Sequence, residues 1–137
     1  MILLIDTTTN PTAIGLCDEA KLNVKTIESN PENNRKLVSI IEKFGNSLKI
    51  ENWKLKIDSI GVICGPGTFT GVRTGVTIAN TIAYALNIPI YTIDTLSAQV
   101  PLVSIPKSLN SPKDLKSPIN NVISLLSASN NEVYFAR

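Results

Sequence analysis

Two places in the chain carry residues of the kind that do chemistry. The first is Asp6, which ends the apolar run ILLID (2–6) and is followed by the polar stretch TTTNP. An aspartate closing a first strand is placed to hold a divalent cation or to face a phosphate, but two-metal chemistry needs several carboxylates converging on one point. The other candidates are poorly placed, since Glu42 sits beside Lys43 in a helical pattern and Asp58 begins a strand pattern rather than ending one, so a turn-stabilising or vestigial Asp6 is the favoured reading. The second place is CGPGTFTGVRTG, from Cys64 to Gly75. Val72 stands where a GxxxxGK[ST] phosphate loop has its lysine, the glycine spacing does not match GxGxxG, and a nucleophile elbow would need a serine with a histidine base. The free amides of a following helix, near Thr68, Thr70 and Gly71, still offer a place for an anion. The competing reading is a tight strand-to-helix turn made by Pro66 and the glycines, with Thr68 or Thr70 as the cap.

The chain contains no histidine. That removes from it the commonest general base, the commonest zinc ligand and every Ser-His or Cys-His pair, and leaves carboxylates, lysine and backbone amides for any chemistry. Its 137 residues are enough for one proper core, and 43% apolar with 18% charged residues reads as soluble and globular. A formal charge of +2, with lysines scattered along the chain, argues against an electrostatic grip on nucleic acid. Cys17 and Cys64 each end an apolar strand-like segment, where a thiol is expected to pack as a small core hydrophobe. MILLIDTTT lacks the basic start of a signal peptide, and the uncharged run from Thr74 to Ile93 is interrupted by Asn80, Asn87 and Pro89, so no membrane span and a cytoplasmic location are expected.

These residues must be positioned by regular elements. ILLID (2–6), TAIGLC (12–17) and KLNVKTIES (21–29) read as three antiparallel strands, the third with Leu22, Val24 and Thr26 alternating against Lys21, Asn23 and Lys25. Asn30-Pro31-Glu32 is a helix start, and Leu37, Ile40, Ile41, Phe44 and Leu48 recur at helical spacing to Leu48, with Gly45-Asn46 expected to weaken the last turn. A fourth strand, apolar from Ile60 to Cys64, leads into the glycine motif, a helix over Thr70–Leu86 and a fifth strand, IPIYTI (88–93). Asp94 or Thr95 then caps a short third helix that stops near Pro101. Four prolines between Pro101 and Pro118 mark a linker, and VISLLS with EVYFAR flanking a polar turn predict a final hairpin. The division is therefore a first lobe over 1–100, a linker over 101–118 and a hairpin over 119–137. The order of elements is that of a ribonuclease-H-like α/β unit, a mixed five-stranded sheet with helices on both faces, which hosts nucleases and actin-like ATPases alike.

The helix after the glycine motif carries one charge, Arg73, before Asp94. Val72, Val76, Ala79, Ala83 and Leu86 form one apolar stripe, and Gly75, Ile78, Ile82 and Ala85 a second, leaving Thr74, Thr77, Asn80, Thr81 and Tyr84 as the rest. One stripe is expected in the core of its own domain, and the second, with Gly71 and Gly75 allowing close approach, against a helix of another chain.

ILLIDTTT, GPGTFTGVRTG and NEVYFA, in this order, resemble the TsaB (YeaZ) family of tRNA threonylcarbamoyladenosine biosynthesis proteins, whose central motif reads GPGSFTGLRIG. The resemblance runs from Met1 to Arg137, except that Pro101–Pro118 matches nothing in the family pattern. It implies the N-terminal lobe of the actin-like ATPase (ASKHA) fold, with the hairpin as a remnant of a second lobe. It also implies a subunit with no catalytic role, no cofactor and no metal of its own. The implied partner is the paralogue TsaD, which carries HxxxH and transfers threonylcarbamoyl to adenosine 37 of tRNAs reading ANN codons. TsaE would be a third, ATP-using component, ATP and a metal ion would belong to the partner proteins, and tRNA would be met only through the complex. Carried over by position, Gly65, Pro66, Gly67, Thr68, Phe69, Thr70, Gly71 and Arg73 match the family loop. The implied interface uses Leu37, Ile41 and Phe44 on the first helix and Val72, Arg73, Gly75, Val76, Ala79, Ile82, Ala83 and Leu86 on the second, with a homodimer through the same surface in the free state. The lack of histidine separates the chain from TsaD itself and from a metallopeptidase. It departs from the family in its short second lobe, in a leucine where the hairpin's first strand often has an acidic residue, and in Asn33-Asn34-Arg35 ahead of the first helix's leucines. The alternative from another class is a small nucleotide-binding phosphotransferase or nuclease using Asp6 and the 65–71 loop.

Overall fold

Alternation of side chains decides which face of the sheet becomes core. The computed structural model describes residues 1–18, 21–98, 124–127 and 133–136. Strands β1 (Ile2–Asp6), β2 (Thr12–Cys17), β3 (Leu22–Ile27), β4 (Ser59–Ile63) and β5 (Ile90–Ile93) form one sheet in the order β3-β2-β1-β4-β5. The first three pair antiparallel as the expected meander, whereas β4 and β5 run parallel to β1 because helices carry the chain back between them. Leu3, Ile5, Ile14, Leu16, Ile60 and Val62 share one face and are buried there with Trp53, Ile57 and residues of two helices. Each of these fully buried aliphatic side chains contributes roughly 1.5–3 kcal/mol relative to exposure. Ile2, Leu4, Leu22, Val24, Tyr91 and Ile93 fall on the opposite face by register and stay exposed.

The helical pattern from Asn30 to Leu48 resolves into two helices rather than one: α1 (Pro31–Arg35) and α2 (Leu37–Ser47). Asn30 caps α1 as its type predicts, its Oδ1 accepting from the Asn33 amide at 2.8 Å. The break falls at Lys36, whose amide is shared between the carbonyls of Glu32 and Asn33. This re-aims the chain so that Leu37, Ile41 and Phe44 all point at the sheet. Gly45 does not weaken the end of α2. The Trp53 indole of a 3-10 turn (Trp53–Lys56) lies so close that a Cβ at Gly45 would collide with it, and its Nε1 donates to Asn46 Oδ1 at 2.8 Å.

Helix α3 (Phe69–Leu86) follows β4 and ends at Asn87, whose positive φ of 54° closes the helix before Pro89. Residues 95–98 turn helical, with Asp94 as the cap: its carboxylate accepts from the Ser97 amide at 2.8 Å and from the Ser97 hydroxyl at 2.5 Å. The rest of that expected helix and the linker 101–118 lie outside the described residues. Strands β6 (Ser124–Ser127) and β7 (Val133–Ala136) pair antiparallel as a separate two-stranded sheet, Ser124 opposite Ala136. The cysteines are not core residues: Cys17 is half-buried and Cys64 exposed. Cys17 pairs with Ile2 on the open face, and Cys64 lies just beyond the end of β4, so neither meets the packed side of the sheet.

Candidate functional site: the glycine turn and the helix it launches

The glycine motif is tied down at both ends by its own chain. Behind it, the Gly65 carbonyl accepts from the Thr95 amide at 2.8 Å and the Pro66 carbonyl from the Thr95 hydroxyl at 2.7 Å. Ahead of it, the Thr68 amide donates to the Thr8 carbonyl at 3.0 Å, and the Thr7 hydroxyl donates to the Gly71 carbonyl at 2.6 Å. Gly65 holds a φ of 104°, which favours glycine. The later glycines serve contact instead: a Cβ on Gly67 would sit 2.6 Å from Thr8, and one on Gly71 or Gly75 would run into Thr7. Three carbonyls and the Thr68 amide of the motif are thus spent on joining the ends of β1 and β5 to the start of α3.

Asp6 belongs to the same joint and not to a carboxylate cluster. Its Oδ1 accepts from the Thr8 amide at 2.9 Å and from the Thr8 hydroxyl at 2.7 Å. Asp58 lies at the other end of the sheet, where it receives the N-terminal amine at 2.7 Å, and Glu42 of α2 pairs with Lys54. Among the described residues no three His, Cys, Asp or Glu side chains gather as metal ligands. Thr68, Thr70 and Gly71 line a polar recess of about 490 Å³ with Asn30, Asn34 and Arg35, whereas Asp6 lines the open sheet face instead. The four anion candidates are therefore not brought together. Thr68 is the N-cap by position, but its hydroxyl makes no cap bond.

The expected partner surface is redrawn by burial. Leu37, Ile41 and Phe44 are in the core, and so are Gly75, Ala79 and Ala83, so none of these six offers a surface to a second chain. The inward stripe of α3 is Gly71, Gly75, Ala79 and Ala83, taken from both stripes drawn on the sequence. Small residues face inward because the helix lies close against Thr7 and β4. Val72, Val76 and Ile82 flank that stripe half-buried, and Arg73 and Leu86 are exposed as expected. The face assigned to neither stripe turns out to be the open one. Phe69 is 70% exposed and Tyr84 91%, and the Arg73 guanidinium stacks 4.0 Å from the centre of the Phe69 ring. Sequence reasoning missed both aromatics because neither continues an apolar stripe. Beside this face, an apolar groove between α2 and α3 is lined by Val38, Ile41, Trp53, Ile82, Ala85 and Leu86.

Charges rim the groove rather than fill it. Lys54 bonds Glu42 and holds its carboxyl below the usual range, by hydrogen bond first and by charge second. Asp94 is lowered by the Ser97 hydroxyl and amide, and Asp58 by the N-terminal amine and then by the Ser59 hydroxyl. No helix of the described residues is long and apolar enough to cross a membrane.

Comparison with known proteins agrees with this geometry. A family model described as TsaD: tRNA N6-adenosine threonylcarbamoyltransferase matches residues 30–137. The tRNA threonylcarbamoyladenosine biosynthesis protein TsaB of Haemophilus influenzae is 28% identical over 137 residues, which is 99% of this chain and 52% of that protein. The protein of the same description from Buchnera aphidicola subsp. Schizaphis graminum is 33% identical over 105 residues, 71% of this chain and 45% of its own. YeaZ from Pseudomonas aeruginosa superposes with a TM-score of 0.74 at 21% identity, over 98% of this chain and 57% of that one. This likeness bears out the expected fold class at the level of a mixed five-stranded α/β sheet, on which α2 and α3 pack against the same face. The chain spans about half the length of these curated relatives.

Proposed function

Because the chain belongs to the TsaB/YeaZ family, within the wider family that the TsaD model describes, we propose that it is a noncatalytic partner subunit in tRNA threonylcarbamoyladenosine synthesis. Its partner is a TsaD-type threonylcarbamoyltransferase that modifies adenosine 37 of tRNAs reading ANN codons. TsaE is a third component, ATP and a metal ion are handled by the partner proteins, and tRNA is met through the complex. A cytoplasmic location goes with this reading. So does a division into a first lobe over 1–100, a linker over 101–118 and the first hairpin of a second lobe over 119–137.

One observation carries the choice of surface: eighteen residues of α3 present a single charge, Arg73, between the exposed rings of Phe69 and Tyr84. Large aromatics with an arginine are the residues that anchor interfaces. In the free state the same face pairs with a second copy of the chain. Phosphotransfer or nuclease chemistry has less support, since Asp6 is engaged by Thr8 and no three His, Cys, Asp or Glu side chains gather as metal ligands among the described residues. Co-purification with an HxxxH-containing paralogue tests the reading. Tyr84→Glu should weaken that association at least tenfold while the melting curve stays in place, and unchanged association would remove α3 as the surface.

A further inference from the structure

The partner surface on α3 has no direct tie to Asp6, yet the route between them is short. Asp6 fixes Thr8 through two hydrogen bonds to one oxygen, and Thr8 and Thr7 are each only 1% exposed. The Thr8 carbonyl then accepts from the Thr68 amide, and the Thr7 hydroxyl donates to the Gly71 carbonyl across a sequence separation of 64 residues. These two bonds hold the first turn of α3 from the side of β1, and Gly67, Gly71 and Gly75 bring the backbone close enough for them to form. An eighteen-residue helix is about 27 Å long, so a tilt of about 5° at its start moves its far end by about 2 Å. A shift of that size is enough to misplace a buried anchor in an interface whose packing matches a protein interior.

We propose that Asp6 is a positioning residue: by ordering Thr7 and Thr8 it sets the direction in which α3 presents Phe69, Arg73 and Tyr84, and so tunes partner affinity without touching the partner. This rests on α3 being the partner surface. Both bonds to Asp6 need an acceptor oxygen and neither needs a charge, so asparagine should serve in its place. A metal-binding or phosphate-facing aspartate would not tolerate that exchange.

The test compares Asp6→Ala, Asp6→Asn and the isosteric Thr7→Val by amide hydrogen exchange of the free chain and by affinity for the TsaD-type paralogue. Asp6→Ala should raise exchange over residues 68–72 at least tenfold relative to β2 and α2, and weaken partner binding at least fivefold. Asp6→Asn should stay within twofold of the parent in both, and Thr7→Val should follow Asp6→Ala in direction. Parent-like exchange in Asp6→Ala, or an Asp6→Asn variant as impaired as Asp6→Ala, overturns the proposal. So does altered exchange with unaltered affinity in a protein whose Tyr84→Glu variant no longer binds. Should Tyr84→Glu bind normally, the surface assignment fails by itself, and the exchange measurement, which needs no partner, still decides whether Asp6 orders the start of α3.

Discussion

The two faces of α3 differ in the opposite sense from what an apolar stripe implies. Inward stand Gly71, Gly75, Ala79 and Ala83, the smallest side chains available; outward stand Phe69, Arg73, Asn80 and Tyr84. The inward set lets the helix axis lie close to Thr7 and the sheet, so contact there is made largely by backbone and β-carbons. The outward set has bulk and stays exposed, with the Arg73 guanidinium stacked on the Phe69 ring. Hydrophobicity therefore does not distinguish the faces of this helix as well as size does.

Ala83 and Tyr84 are consecutive, 4% and 91% exposed, and they give the sharpest way to break the contrast. Ala83→Glu buries a carboxylate with no partner and should cost on the order of 3–5 kcal/mol, enough to unfold a lobe of this size, as read by chemical denaturation. Tyr84→Glu, one residue on, should leave stability within about 0.5 kcal/mol. If both variants melt alike, the helix is rotated from the orientation described. Gly75→Ala is a milder probe of the inward face. Better helix propensity returns roughly 0.5–1 kcal/mol, but the new methyl meets the Thr7 hydroxyl, and overpacking of this kind costs about 1–3 kcal/mol. The net should be destabilising, and a stabilised Gly75→Ala would show that the joint yields. The smallest effect lies far from α3, at Asp58. Its carboxyl is lowered by the N-terminal amine and by Ser59, so its contribution is present above the ordinary carboxylate pKa and fades as pH falls through its lowered folded value. Asp58→Asn should flatten the acid limb of the stability curve slightly and leave partner binding alone; an equal acid limb in both proteins would show the amine pair to be inert.

Much of the fold was legible in local pattern. Alternation set the meander, Asn30-Pro31 started α1, and the apolar run from Ile60 announced a strand, although the cover it implied on both sides is fully met on one. The break at Lys36 was not legible, because the repeat of Leu37, Ile40, Ile41 and Phe44 continues the spacing expected of a single helix. Nor was the service of Gly45, which depends on Trp53 arriving from eight residues away to cover it. In the candidate site the motif itself stood out, but its role did not. GPGTFTG reads first as a turn and second as an anion site, and the structure adds that Thr7, Thr8 and Thr95 tie three of its carbonyls and the Thr68 amide into a joint.

The sequence by itself determined that this chain brings no histidine to any site, that a glycine turn leads into a nearly uncharged helix, and which family its motifs resemble. Those are matters of residue type and spacing, and they survive any arrangement in space. Only the tertiary structure decided that Asp6 serves its turn through Thr8, that Ala79 and Ala83 face the sheet and that Phe69 and Tyr84 face outward. The rotation of a helix about its axis is set by what it packs against. For α3 that partner is β4, which precedes it directly in the chain, together with Thr7, which is far from it in sequence.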